Sequence, residues 1–99
     1  MINHISLTAI LKEIDQEDDT IRYIEVKRSY KNNDGKYHSD RFPCMMWHKH
    51  HKGSLFLYKE GTVVALDGRI EVYDEKIFII IDAITFMFKN ETEVNLRGT

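Results

Sequence analysis

Residues 44–51 read CMMWHKHH, which places a thiol, two thioethers, an indole and three imidazoles within eight positions. Cys and His at short range are zinc donors, and a zinc site needs four closed ligands for structure or three plus water for catalysis. His48, His50 and His51 are close enough to supply two, and His38 could approach across a neighbouring hairpin. The chain has one Cys, however, and no HxxxH spacing accompanies these residues. Cys44 also shares its strand parity with Phe42 and Met46, an apolar set that should point inward. No metal or other cofactor is therefore expected. Met, Trp and Lys at strand spacing point to a different chemistry.

Charge distribution indicates which. The net charge is −2. Between Thr20 and Lys52, however, lie eight cations (Arg22, Lys27, Arg28, Lys31, Lys36, Arg41, Lys49, Lys52) against Glu25, Asp34 and Asp40, a net of +5 that leaves −7 on the rest. Such a segment can hold a polyanion while the remainder stays solvated. Tyr23, Tyr30, Tyr37 and Trp47 are interleaved among its cations. There is no Ser-His-Asp set with local context and no Gly-rich phosphate loop, so no enzyme is expected. The longest apolar run, IFIII at 77–81, is too short to span a bilayer, and MINHISLTAI does not read as a signal peptide. A soluble, cytoplasmic protein without a membrane partner is expected.

The elements that must position these residues read as strands. Ile5, Leu7 and Ala9 alternate with polar or small residues, KEIDQEDD (12–19) reads as a solvated turn, and TIRYIEVKRSY (20–30) alternates again. KNNDGK (31–36) is a hairpin signal, because Asn, Asp and Gly tolerate positive φ. RFPCMMW (41–47) is a third strand, with Pro43 suggesting a bulge or an edge. Arg41, Pro43, Met45 and Trp47 should share its outer face. Residues 54–58 suggest a short helix capped by Ser54 and ended by Gly61. TVVALDGRIEVY (62–73), a tight turn at DEK and IFIIIDAITFMF (77–88) complete five strands. These must remove their edges, and a small closed barrel does so. One domain over 1–88 and a polar, frayed tail over 89–99 are expected.

Five stretches in matching order resemble the bacterial-type single-stranded DNA-binding protein family: MINHISLTAIL, YKNNDGK, CMMWHK, GTVVALDGRI and IDAITFM. The resemblance covers residues 1–88 and implies an all-β, five-stranded OB-fold barrel with one short helix between strands 3 and 4. It implies non-sequence-specific binding of single-stranded DNA in replication, recombination or repair, near the nucleoid. Trp47 and Tyr30 fall at family positions that stack bases, a contact worth about 1–3 kcal/mol per base. The alternative for Trp47 is a plug at the barrel end beside Leu57. Tyr73 stands at the root of a shortened connection that carries basic and aromatic contacts in the family. Lys27, Arg28, Lys31, Lys36, Arg41 and Lys49 are phosphate candidates, and the imidazoles after Trp47 could lie beside the same path. Arg69, after a tight Asp-Gly pair, reads as structural.

In the family the first strand pairs across a subunit interface, which implies His4, Ile5, Leu7 and Thr8 as contacts of a homo-dimer or homo-tetramer. This chain resembles a minimal form. The first connection is short, Asp74-Glu75-Lys76 replaces a long arm, and Arg41 stands where an aromatic is usual. An acidic, Phe-tipped tail does not follow, so tail-mediated recruitment of repair enzymes is not expected. A competing reading from the same departures is a primosome-like protein–protein adaptor with weak or lost DNA binding.

Overall fold

The computed structural model describes residues 3–47 and 53–88. Alternation along ISLTAILKEI builds β1 (Ile5–Ile14). Ala9 and Leu11 are buried and Ile5 and Leu7 pack against the core, while Ser6, Thr8 and Ile10 face out. The strand runs three residues further than its acidic composition suggested. One extra residue enters between Leu11 and Ile14, and this bulge, which holds Glu13, keeps the acids at solvent while the ladder continues. β2 (Arg22–Lys31) and β3 (Tyr37–Met46) follow. Gly35, at φ 79°, closes the loop between them, and Asn32 exchanges backbone hydrogen bonds with Gly35 and Lys36. β3 thus begins four residues before the RFPCMMW run.

After the helix α1 (Gly53–Leu57) come β4 (Val63–Tyr73) and β5 (Lys76–Phe88). Asp74 and Glu75 both have positive φ, the signature of a two-residue type I′ turn. The strands close in the order β1-β2-β3-β5-β4. β1 serves two neighbours: Ile5–Ile10 pairs with β4, and Ile10–Ile14 pairs with β2. A parallel contact, Cys44 opposite Ile79, seals the ring.

The interior holds Ala9, Leu11, Ile24, Cys44, Val64, Leu66, Ile79 and Ile81, with Leu55 of α1 filling one end. Leu55, not Trp47, is the plug: Trp47 is 54% exposed and Leu57 is exposed as well. α1 stops at Leu57, four residues before Gly61. Gly61, at φ 96°, instead turns the chain back so that its amide donates to the Leu11 carbonyl. The Ser54 cap lies outside the described side chains.

Arg22 is inward-facing and 3% exposed. Its guanidinium donates to the carbonyls of Lys12 (2.7 Å), Leu55 (2.9 Å) and Tyr58 (2.7 Å), lashing β1 to α1. A buried charge is tolerated only when hydrogen-bonded, and these three acceptors provide that. One of the eight cations of the basic third therefore belongs to the scaffold.

Gly68 is required by a close approach. A Cβ there would overlap the Ile80 carbonyl oxygen on β5. The register slips at this point, between Asp67 and Gly68, so that Asp82 is the extra residue of a bulge.

Candidate nucleic-acid interface

The outer faces of β2, β3, β5 and β4 form one continuous surface. β3 contributes Arg41, Pro43 and Met45, and Trp47 follows directly after its end. Met45 lies on this outer face by parity and is only 7% exposed. Its partner across the parallel ladder is Ile80, also outward by parity and 3% exposed. Two apolar side chains are thus covered on the outside of the barrel.

Trp47 anchors its own amide to the Ile81 carbonyl (2.9 Å) and reaches over β5 to β4, where the Arg69 guanidinium lies 3.8 Å from the indole centroid. Arg69 is held in turn by Glu71 (Nε to Oε2, 2.5 Å) and Asp82 (Nη1 to Oδ1, 3.5 Å). Glu71 also accepts from the Tyr73 hydroxyl. The Tyr73 and Arg69 donors hold the Glu71 carboxyl below its usual range, and the same bond raises the Tyr73 phenol. Tyr73 meets Phe78 edge to face, with centroids 5.7 Å apart.

A second stack has the same construction. Arg41 of β3 lies over the Tyr23 ring of β2, 4.2 Å from its centroid, and continues to Glu13 of β1 in a two-pronged ion pair. Tyr23 donates its hydroxyl to Asp15 (2.6 Å). The Arg41 bond lowers the Glu13 carboxyl, and the Tyr23 hydroxyl with the amides of Glu17 and Asp18 lowers Asp15. Beside this second stack a cleft of about 470 Å³ is lined chiefly by Ile21, Phe42, Pro43, Ile77 and Phe78, with Lys76 and Asp15 among the polar groups.

The β2–β3 hairpin, which projects beyond the barrel, differs. Lys27 and Lys31 both lie over the Tyr37 ring, at 5.3 and 5.7 Å from its centroid. Lys36 is exposed near the turn, and Tyr30 is 59% exposed. Tyr30 and Lys31 edge a wide notch of about 600 Å³ with Asn32, Asn33 and Asp34. Arg28 is the exception, gripped by Asp40 through two hydrogen bonds of 2.9 and 2.8 Å. His38 bonds Asp34 (2.9 Å) within the same hairpin.

Among the predicted site residues, Trp47, Arg41 and Tyr73 share the barrel face, whereas Lys27, Arg28, Tyr30, Lys31 and Lys36 lie on the hairpin. Lys49 and the imidazoles of His48, His50 and His51 lie outside the described residues. The Cys44 thiol donates to the Arg22 carbonyl (3.0 Å), and burial pushes it up to about 12. Among the described residues no three His, Cys, Asp or Glu side chains gather as metal donors. His4, just before β1, and Thr8 within it are exposed, while Ile5 and Leu7 pack against the barrel core. The sequence reading missed Phe78 and the reach of Arg69. Phe78 sits in IFIII, where no polar residue marks the faces. Arg69 had the outward parity of Glu71 and Tyr73 as its only signal.

No family model matches the chain. A 48-residue stretch is 33% identical to single-stranded DNA-binding protein 1 of Streptococcus pyogenes, covering 48% of this chain and 37% of that protein's length. The fold matches a small single-stranded DNA-binding protein from Streptomyces coelicolor with a TM-score of 0.60, at 16% identity over 88% of this chain and 95% of that one. A Plasmodium falciparum single-stranded DNA-binding protein, solved with single-stranded DNA, matches at 0.57 and 14% identity, over 88% and 96% of the two chains. The chain has the OB fold and resembles the single-stranded DNA-binding proteins. No helix among the described residues is long and apolar enough to cross a membrane.

Proposed function

We propose that the chain binds single-stranded DNA without sequence preference, stacking bases on Trp47 and tracking phosphates with the hairpin lysines. The observation that carries this reading is Trp47 itself. An indole 54% exposed on the outer face of a barrel offers a flat π-surface, and a base is a partner that its shape fits. Tyr73 and Tyr30 extend the stacking surface, and Lys27, Lys31 and Lys36 supply counterion release. Arg28 and Arg41 enter as members of ion pairs, and Lys49 would lengthen the path beyond Trp47. The protein acts as a binding module rather than an enzyme, in the cytoplasm near the nucleoid, serving replication, recombination or repair.

A homo-dimer or homo-tetramer formed along β1 belongs to the same proposal. From Ile5 to Ala9 this strand pairs with β4 on one side, and no strand among the described residues takes its other edge. An open edge invites a second chain. His4 and Thr8 would contribute side chains to that contact, and Ile5 and Leu7 their backbone.

Titration of poly-dT against the single Trp tests the reading. Quenching at low salt, lost as salt rises, is the expected result. Trp47→Ala should weaken binding by about 5- to 150-fold, the equivalent of one stacked base. A second reading, an adaptor between proteins, draws support from the net charge of −2 and from arginines already paired with Glu13 and Asp40. Absence of quenching at low salt would overturn the DNA reading.

A further inference from the structure

Trp47 could have been a freely hinged side chain at the end of a strand. Instead it lies against a guanidinium that is itself fastened. Arg69 sits on β4, two strands away from β3, so the 3.8 Å stack bridges β5. Three features make this a built contact. Gly68 permits the close approach that brings β4 against Ile80. The bulge opposite it turns Asp82 toward Arg69. Glu71 takes the Nε edge of the guanidinium, the edge that sets its plane.

We propose that Arg69 is a positioning residue for Trp47: its guanidinium fixes the plane of the indole on which a base stacks, and it makes no phosphate contact of its own. The inference rests on the reading of Trp47 as a stacking platform. Its physical basis is preorganisation. An indole held in place loses less freedom when a base settles on it, so more of the stacking energy appears as affinity. Charge argues against a phosphate role, because two carboxylates already compensate the guanidinium and a compensated cation releases few counterions.

Arg69→Lys is the decisive variant, since it keeps the charge and removes the flat stack. In the free protein, Trp47 fluorescence anisotropy should fall as the indole gains local motion. Affinity for a dT oligomer should drop about 5-fold, the equivalent of one cation–π contact. The slope of log affinity against log salt should stay as in the parent. Glu71→Gln provides a second arm with opposite electrostatic expectation. Removing an acid should tighten DNA binding if charge alone matters, whereas loosening the clamp should lower both anisotropy and affinity. Circular dichroism of both exposed-face variants checks that the barrel is intact.

Parent-like affinity in Arg69→Lys, or tighter binding in Glu71→Gln, overturns the inference. So does a salt slope that falls by about 0.7 in Arg69→Gln, the value of one phosphate contact on a single strand. If poly-dT does not quench the parent's Trp47, the base-stacking reading itself fails and takes the inference with it. Quenching in the parent with unchanged variants removes only Arg69's role.

Discussion

The barrel face and the β2–β3 hairpin carry the same residue types, rings and cations, and use them differently. On the barrel face each arginine is clamped between an aromatic ring and carboxylates: Arg41 between Tyr23 and Glu13, Arg69 between Trp47 and the Glu71–Asp82 pair. On the hairpin, Lys27 and Lys31 share the Tyr37 ring. A guanidinium stacks flat and bonds a carboxylate in a planar fork, whereas an ammonium is a flexible, strongly hydrated point charge. The difference teaches a division of labour. The barrel face offers ordered rings with little uncompensated charge, and the hairpin offers charge with little order. Stacking energy should therefore come from the first and salt dependence from the second.

The harshest way to break this comparison is Gly68→Ala. The added Cβ meets backbone rather than a yielding side chain, so a loss of about 3 kcal/mol is expected. A thermal melt should show a midpoint lowered by more than about 10 °C. Trp47 anisotropy should fall as well, while the hairpin, remote from the bulge, keeps its contribution to salt dependence. A midpoint within a degree or two of the parent would mean that the close approach is not needed.

Replacing Lys27, Lys31 and Lys36 together by Gln sharpens the division from the other side. The salt slope should shrink by about 2, reflecting three lost phosphate contacts, with maximal Trp47 quenching preserved at low salt. Salt-dependent titrations read both quantities at once. If quenching amplitude collapses while the slope stays, the assignments of the two regions are reversed.

Arg41→Gln should act more weakly than any of these. Its charge is already paired with Glu13, so the slope should change by less than a single lysine produces. A full unit of slope lost here would show that Arg41 leaves Glu13 for phosphate.

The smallest expected effect concerns pH. Glu13 and Glu71 are held below the usual 4.5 by their donors. A carboxyl depressed in the folded state stabilises the fold above its ordinary value, and that contribution is lost as pH falls through the depressed one. The melting midpoint should hold steady above pH 4.5 and decline below it. Glu13→Gln should decline less over the same window, and an identical decline would remove Glu13 from the linkage.

Much of the scaffold was legible because local rules govern it. The hairpin followed from NNDG, whose glycine takes the positive φ the turn requires. The inward set Phe42, Cys44 and Met46 followed from alternation, with Cys44 fully buried and the other two packed against the core. β1 was read short because KEIDQEDD was judged by composition, whereas a bulge carries acids along a strand edge without burying them. Met45 lies on the outer face that alternation gave it, but its burial was not legible, because alternation says which way a side chain points and nothing about what lies beside it. Its ladder partner Ile80 is 35 positions away. The basic third was legible as charge but not as available charge. Arg22 proved internal, and Arg28 and Arg41 proved paired, facts that depend on strand register.

The sequence by itself determined the five strands, the turns between them, the inward set of β3 and the presence of an indole among cations. Each of these is set by neighbours a few residues apart, where backbone geometry and alternation suffice. Only the tertiary structure decided which cations remain open, what holds Trp47 and that Met45 and Ile80 are buried on the outer face. Those outcomes join β1 to β3 across β2, and β3 to β4 across β5. Closure of the barrel brings such residues within 4 or 5 Å of one another, and no local pattern encodes that proximity.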